Sequence, residues 1–129
     1  MTTGNNKAIY LLLADKIIDD VLMDKIPPDG RLPSIRDYAA EVQVNPNTMM
    51  RTYDYLSSLN IIYNRRGVGY FLASDARETA SSIRRRQLFD NDLSDIFRQL
   101  RLLRVSPQEL SSHYEAYLKE KKFNSEEKQ

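Results

Sequence analysis

Three short polar clusters concentrate the recognition chemistry of this chain: Ser34 with Arg36; Asn45, Asn47, Thr48 and Arg51; and Arg65 and Arg66 beside Gly67 and Gly69. Arginine presents a planar fork of donors that grips two acceptors at once, asparagine offers a donor and an acceptor side by side, and threonine carries a methyl next to its hydroxyl. This is the chemistry of binding rather than of bond making. The chain has no cysteine and one histidine, His113, which excludes thiol catalysis, disulfides and thiolate or His-rich metal sites. Without a glycine-rich phosphate loop or a recognisable carboxylate constellation, no enzymatic activity and no cofactor are expected.

The surroundings of these clusters are those of an ordinary folded protein. Of 129 residues, 41% are hydrophobic and 29% charged, a balance far from that of disordered or membrane chains. Nineteen basic residues face eighteen acidic ones, a net charge of +1, so any attraction to a polyanion must be local. The apolar run after Lys7 resembles a secretory signal, but Asp15 and Lys16 interrupt it and no small-residue cleavage site follows. No stretch approaches the ~18 apolar residues of a membrane span, and a cytoplasmic location is expected.

A first helix is predicted from Ala8 to Ile26, with Ile9, Leu12, Leu13, Ile17, Val21 and Leu22 as its buried stripe. Pro27 and Pro28 stop it, and Pro28-Asp29-Gly30 predicts a turn in which glycine takes the positive φ. Ser34 has the spacing of a capping box ahead of a short second helix carrying Ile35, Tyr38, Ala39 and Val42. Asn45 has N-cap chemistry and Pro46 suits a first helical position, so a third helix starts after about three connecting residues. There Met49, Tyr53 and Leu56 form the core face, and Asn47, Thr48, Arg51 and Tyr55 point away from it. Asn60 replaces the glycine common at helix ends. Ile61 to Leu72 then reads as a β-hairpin around a basic turn.

Residues 7–74 therefore form one expected domain, and 75–121 a helical region. In the latter Phe89, Leu93, Ile96, Phe97, Leu100 and Leu103 are candidate contacts of a homodimer, since no strand signal returns to cover their stripe. Ser106-Pro107-Gln108-Glu109 is a second capping box, and Leu110, Tyr114, Tyr117 and Leu118 follow it. Residues 122–129 are expected to be a disordered tail. The fold class is mainly α: a winged helix-turn-helix of three helices and a β-hairpin wing, followed by a two-helix dimerisation tail.

That arrangement suits duplex DNA. An α-helix fits the major groove with its first residues at the base edges, which assigns readout to Asn47, Thr48 and Arg51. Ser34 and Arg36 sit where a helix start attracts phosphate, and Arg65 and Arg66 at the wing tip suit phosphates or a minor groove. From Arg31 to Arg66 there are five arginines against three acids, Asp37, Glu41 and Asp54.

Ile9-Tyr10, Leu32-Pro33-Ser34-Ile35-Arg36, Val44-Asn45-Pro46-Asn47-Thr48 and Arg65-Arg66-Gly67-Val68-Gly69-Tyr70-Phe71 together resemble the DNA-binding domain of GntR-type bacterial transcription regulators. The Asn-Pro-Asn-Thr run followed by a short helical tail is similar to the YtrA-like branch, whose members lack a large effector domain. The resemblance implies DNA contact by Arg36, by Asn47, Thr48 and Arg51, and by the wing around Gly67 and Gly69. It also implies a homodimer on a palindromic operator, and a repressor that acts by occupying that operator is the leading expectation. Met50 and Asn60 depart from the family's usual residues.

The alternative reading of the same fold is a protein-interaction module that never binds DNA. Such a module would more often expose apolar residues where this chain has arginines. Arg84-Arg85-Arg86 reads as a solvated charged face rather than part of the site, and Tyr53 as core. Any small-molecule effector is beyond what these residues specify.

Overall fold

The computed structural model describes residues 7–128, with side chains described for 7–121. The elements in chain order are α1 (Ile9–Leu22), α2 (Ile35–Val42), α3 (Pro46–Ser58), β1 (Ile62–Arg65), β2 (Gly69–Leu72), α4 (Ala76–Gln87), a π-helical turn (Leu88–Asp92), α5 (Ser94–Leu102) and α6 (Pro107–Lys128). The chain divides into two compact units, one through Arg85 and one from Arg86.

In the first unit, α1 and α2 each pack on α3, and the hairpin closes against the end of α3. Ala14, Ile17, Ile18 and Val21 from α1 meet Ala39 from α2 and Met49, Tyr53 and Leu56 from α3. Truncating a buried leucine such as Leu56 in a core of this kind costs about 2–5 kcal/mol. The stripe on α1 is shifted from the predicted one. Ile9 and Leu12 are exposed, and Ala14 and Ile18 take the buried positions.

Helix α1 also ends earlier than the predicted Ile26. Asp24 adopts a left-handed φ of 58°, and the amides of Met23 and Asp24 close back on Asp19 and Val21. In the following turn the positive φ belongs to Asp29, at 60°, not to Gly30. Aspartate is among the few non-glycine residues that tolerate that region. The requirement at Gly30 is steric: a Cβ there would lie 2.7 Å from the Pro27 carbonyl oxygen.

Residues 29–32 then do more than lead into α2. Asp29 donates to the Leu72 carbonyl, Leu72 to Gly30 and Leu32 to Tyr70, so this segment runs along the open edge of β2. On its other side β2 pairs antiparallel with β1, Ile62 opposite Leu72 and Arg65 opposite Gly69. β2 is thereby paired on both sides, which a strand of an isolated two-stranded ribbon in water would not be.

The caps form as their sequences predict. Ser34 Oγ accepts from the Asp37 amide at 3.1 Å, and Asn45 Oδ1 from the Asn47 amide at 2.8 Å. Asn60 takes the left-handed conformation after α3, with φ 62°.

The compact unit extends past residue 74, because Ala76 and Ala80 of α4 are buried in the same core. Arg84 belongs to this packing and not to a solvated face. Its guanidinium reaches Asp19 Oδ1 and the Asp15 carbonyl, both at 2.9 Å. Arg77 pairs with Asp24 at 3.3 Å and donates to the Leu22 carbonyl at the end of α1.

In the second unit Ser106 caps α6 through the Glu109 amide at 3.1 Å. The backbone of α6 is helical through Lys128. The disordered tail expected over 122–129 thus falls on a segment whose backbone is helical to Lys128; side chains from 122 onward and residue 129 lie outside the described residues. No described helix is long and apolar enough to cross a membrane.

Candidate nucleic-acid interface

The two helices joined by the short connection are held by chemistry local to their ends. Gln43, with φ 60°, terminates α2, and the Val44 amide closes back on Ala39. Asn45 and Pro46 then start α3. Tyr53 is the anchor between the helices and the approach to α2. It is fully buried, and its hydroxyl donates to the Pro33 carbonyl at 2.6 Å. Edge contacts to Tyr38 and Tyr70 surround its ring, and burial pushes the Tyr53 hydroxyl far above its ordinary pKa.

On the opposite side of α3 from this core, Asn47 and Arg51 are exposed and Thr48 half-buried. Tyr55, predicted to point outward with them, instead packs against the core margin and meets Tyr10 edge-on. Thr52 is fully buried, which the polar pattern concealed. Its hydroxyl is satisfied by the Tyr10 and Thr48 carbonyls at 2.9 and 3.2 Å. Ser34, Arg36 and Asn45 are exposed at the starts of α2 and α3. Met50 is exposed beside Arg51.

The wing turns through Arg66, Gly67 and Val68, closed by the Val68 amide on the Arg65 carbonyl at 2.8 Å. Gly67 has φ +78° and open space around it, so its glycine is a conformational requirement. Arg65 and Arg66 are both exposed. The Arg65 guanidinium lies 5.5 Å from the centre of the Phe71 ring, which stacks on Tyr63. Arg31, left unassigned by the sequence reading, donates to the Val68 carbonyl at 2.7 Å and so belongs to the wing.

Arg85 apart, the arginines of the first unit fall into two classes. Arg77 and Arg84, on α4, are neutralised by Asp24 and Asp19. Among the described residues, Arg31, Arg36, Arg51, Arg65 and Arg66 have no carboxylate partner in a salt bridge. No candidate contact arginine is therefore held in an ion pair.

In the second unit, Phe89, Ile96, Phe97 and Leu103 are exposed, and Leu93 and Leu100 half-buried. Leu110, Tyr114, Tyr117 and Leu118 on α6 are exposed as well.

A helix pair with a short connection, a preceding helix against the second of the pair and a flanked hairpin define a winged helix-turn-helix protein. No protein-family model matches the chain. A GntR-family transcriptional regulator from Bacteroides thetaiotaomicron is similar in structure, with a TM-score of 0.76 and 42% identity, covering 88% of this chain and 99% of that one. The chain belongs to the GntR family of transcriptional regulators. The uncharacterised HTH-type transcriptional regulator YhcF of Bacillus subtilis is 42% identical over 72 residues, 56% of this chain and 60% of that protein. The HTH-type transcriptional repressor YtrA of the same organism is 31% identical over 71 residues, 55% of each. The chain thus spans 55–60% of the length of the curated relatives it matches.

Proposed function

We propose that this chain is a sequence-specific DNA-binding repressor that occupies a palindromic operator as a homodimer in the cytoplasm, without catalytic chemistry. The observation that carries the reading is the segregation of the arginines. Within the first unit Arg31, Arg36, Arg51, Arg65 and Arg66 have no ion-pair partner among the described residues, while Arg77 and Arg84 of α4 are paired with Asp24 and Asp19. Free guanidinium groups beside a helix start and at a wing tip match phosphate contact and base readout.

Arg51, Asn47 and Thr48 read base edges from α3. Ser34, Asn45 and Arg36 engage phosphate at the helix starts, and Arg65, Arg66, Gly67 and Gly69 form the wing contact. The exposed apolar residues Phe89, Ile96, Phe97 and Leu103, with Leu93 and Leu100, support self-association of the second unit. The repressor role is supported by the relative YtrA.

The test is selection of bound duplexes from a randomised pool at low and near-physiological salt, with sedimentation of the free protein alongside. An inverted repeat with two similar half-sites is the expected product, since a two-fold dimer imposes its symmetry on the site. A pool that stays random and dissociates with salt would leave only non-specific attraction. That outcome, or a protein that sediments as a monomer at high micromolar concentration, would overturn the proposal.

A further inference from the structure

Arg51 does not project freely. Its guanidinium carbon lies 4.2 Å from the centre of the Tyr10 ring, contributed by the first turn of α1. Tyr10 is itself fixed to α3 at both of its ends. Its ring meets Tyr55 edge-on at 6.2 Å and 83°, and its carbonyl accepts the Thr52 hydroxyl at 2.9 Å. Thr52 is wholly buried and adjoins Arg51 in the chain, so the anchor of Tyr10 and the arginine it touches share one turn of α3.

We infer that Tyr10 is a positioning residue of the DNA interface, its ring holding the Arg51 guanidinium for base readout. An unrestrained arginine loses rotamer freedom when it grips two acceptors, and a guanidinium already seated on an aromatic face loses less. The ring supplies attraction without competing hydrogen bonds, so the donors of the fork stay available. A carboxylate in the same place would occupy them. The inference rests on the DNA-binding reading proposed above, and assigns part of the specificity to a helix that lies outside the helix-turn-helix pair.

The experiment uses the full chain, the operator obtained by selection, the same duplex altered at the Arg51-dependent base pair, and a random duplex. Tyr10→Leu is expected to weaken operator binding about two- to fivefold, the range of an exposed cation–π contact. Discrimination at the altered base pair should fall by the same factor, with random-duplex affinity unchanged. Tyr10→Phe, which keeps the ring face, should restore the parent values. In an Arg51→Ala background Tyr10→Leu should have no further effect, whereas a merely structural role would weaken both backgrounds alike. A trifluorinated phenylalanine at position 10 keeps the shape and withdraws the negative face of the ring. It should lose two- to fivefold relative to Tyr10→Phe even if the leucine variant does not fold.

Parent-like binding by the trifluorinated protein, or equal losses in the two backgrounds, would overturn the role of Tyr10 with DNA binding intact. If the parent selects no operator, the DNA-binding reading fails first and this inference with it.

Discussion

The guanidinium of Arg31 lies across the face of Gly69. Its Nη2 donates to the neighbouring Val68 carbonyl at 2.7 Å, and a Cβ at position 69 would stand 3.1 Å from Nε and 3.2 Å from Nη2. Arg31 also sits opposite Phe71 in an isolated antiparallel bridge. The wing is thus strapped by a residue that precedes α2, and Gly69 is the opening through which the strap passes. With φ at +150°, an L side chain at this position is strained as well as crowded. Gly69→Ala is expected to cost about 1–3 kcal/mol in urea denaturation, the scale of a residue held in a disfavoured backbone region. An unchanged midpoint would mean that neither the backbone at position 69 nor the Arg31 guanidinium constrains the wing.

Arg36 and Arg51 are both exposed and both lack an acidic partner, yet their stations on the helices differ. Arg36 is in the first turn of α2, where a phosphate would meet free amides. Arg51→Ala should cost about 1–3 kcal/mol on the preferred operator and relax one base position. Arg36→Ala should weaken binding across all sequences and flatten the salt dependence by about one unit of slope. Titrations of operator and random duplex at several salt concentrations separate the two. Parent-like behaviour of both variants would refute this docking of α2 and α3.

Asn45 combines a structural duty with a proposed functional one, and charge can separate them. Its side-chain oxygen caps α3 through the Asn47 amide. Asn45→Ala removes the cap and should cost about 1 kcal/mol of stability. Asn45→Asp keeps an acceptor there and adds a negative charge favoured at a helix start, so thermal stability should hold or rise. The same charge would oppose phosphate, and operator affinity should drop. An aspartate variant that binds DNA as the parent does would remove Asn45 from the interface.

The features legible in the sequence are those decided within a few residues. Ser34, Asn45 with Pro46, and Asn60 announce helix ends because capping and left-handed backbone are properties of single side chains, and each stands where expected. The pairing of residues 29–32 with β2 was hidden, since it is made by backbone groups distant in sequence that leave no side-chain signature. Arg84 read as surface for a related reason. Its partners Asp19 and Asp15 lie on another helix, and only packing brings them within reach. The candidate site divides the same way: Asn47 and Arg51 stand out by type and spacing, whereas the contributions of Arg31 and Tyr10 depend on contacts across the fold.

Tyr53 gives this packing a pH signature. Its hydroxyl has an ordinary pKa of 10.0, and burial pushes it far up, with Tyr38, Tyr70 and Glu41 adding in the same direction. The unfolded chain therefore releases this proton at a pH where the folded chain still holds it. A raised folded pKa contributes stability that is complete below pH 10.0 and is lost as pH climbs beyond it. Tyr53→Phe deletes the titrating group and leaves the Pro33 carbonyl without its donor. At neutral pH the variant should be less stable by about 0.5–1.5 kcal/mol, the net worth of one intramolecular hydrogen bond. Above pH 10.0 the parent pays the ionisation penalty and the variant does not, so the gap between them should narrow. Urea denaturation of both proteins across neutral to alkaline pH measures this directly. A gap that stays constant over the whole range would mean that the Tyr53 hydroxyl titrates as freely in the fold as outside it.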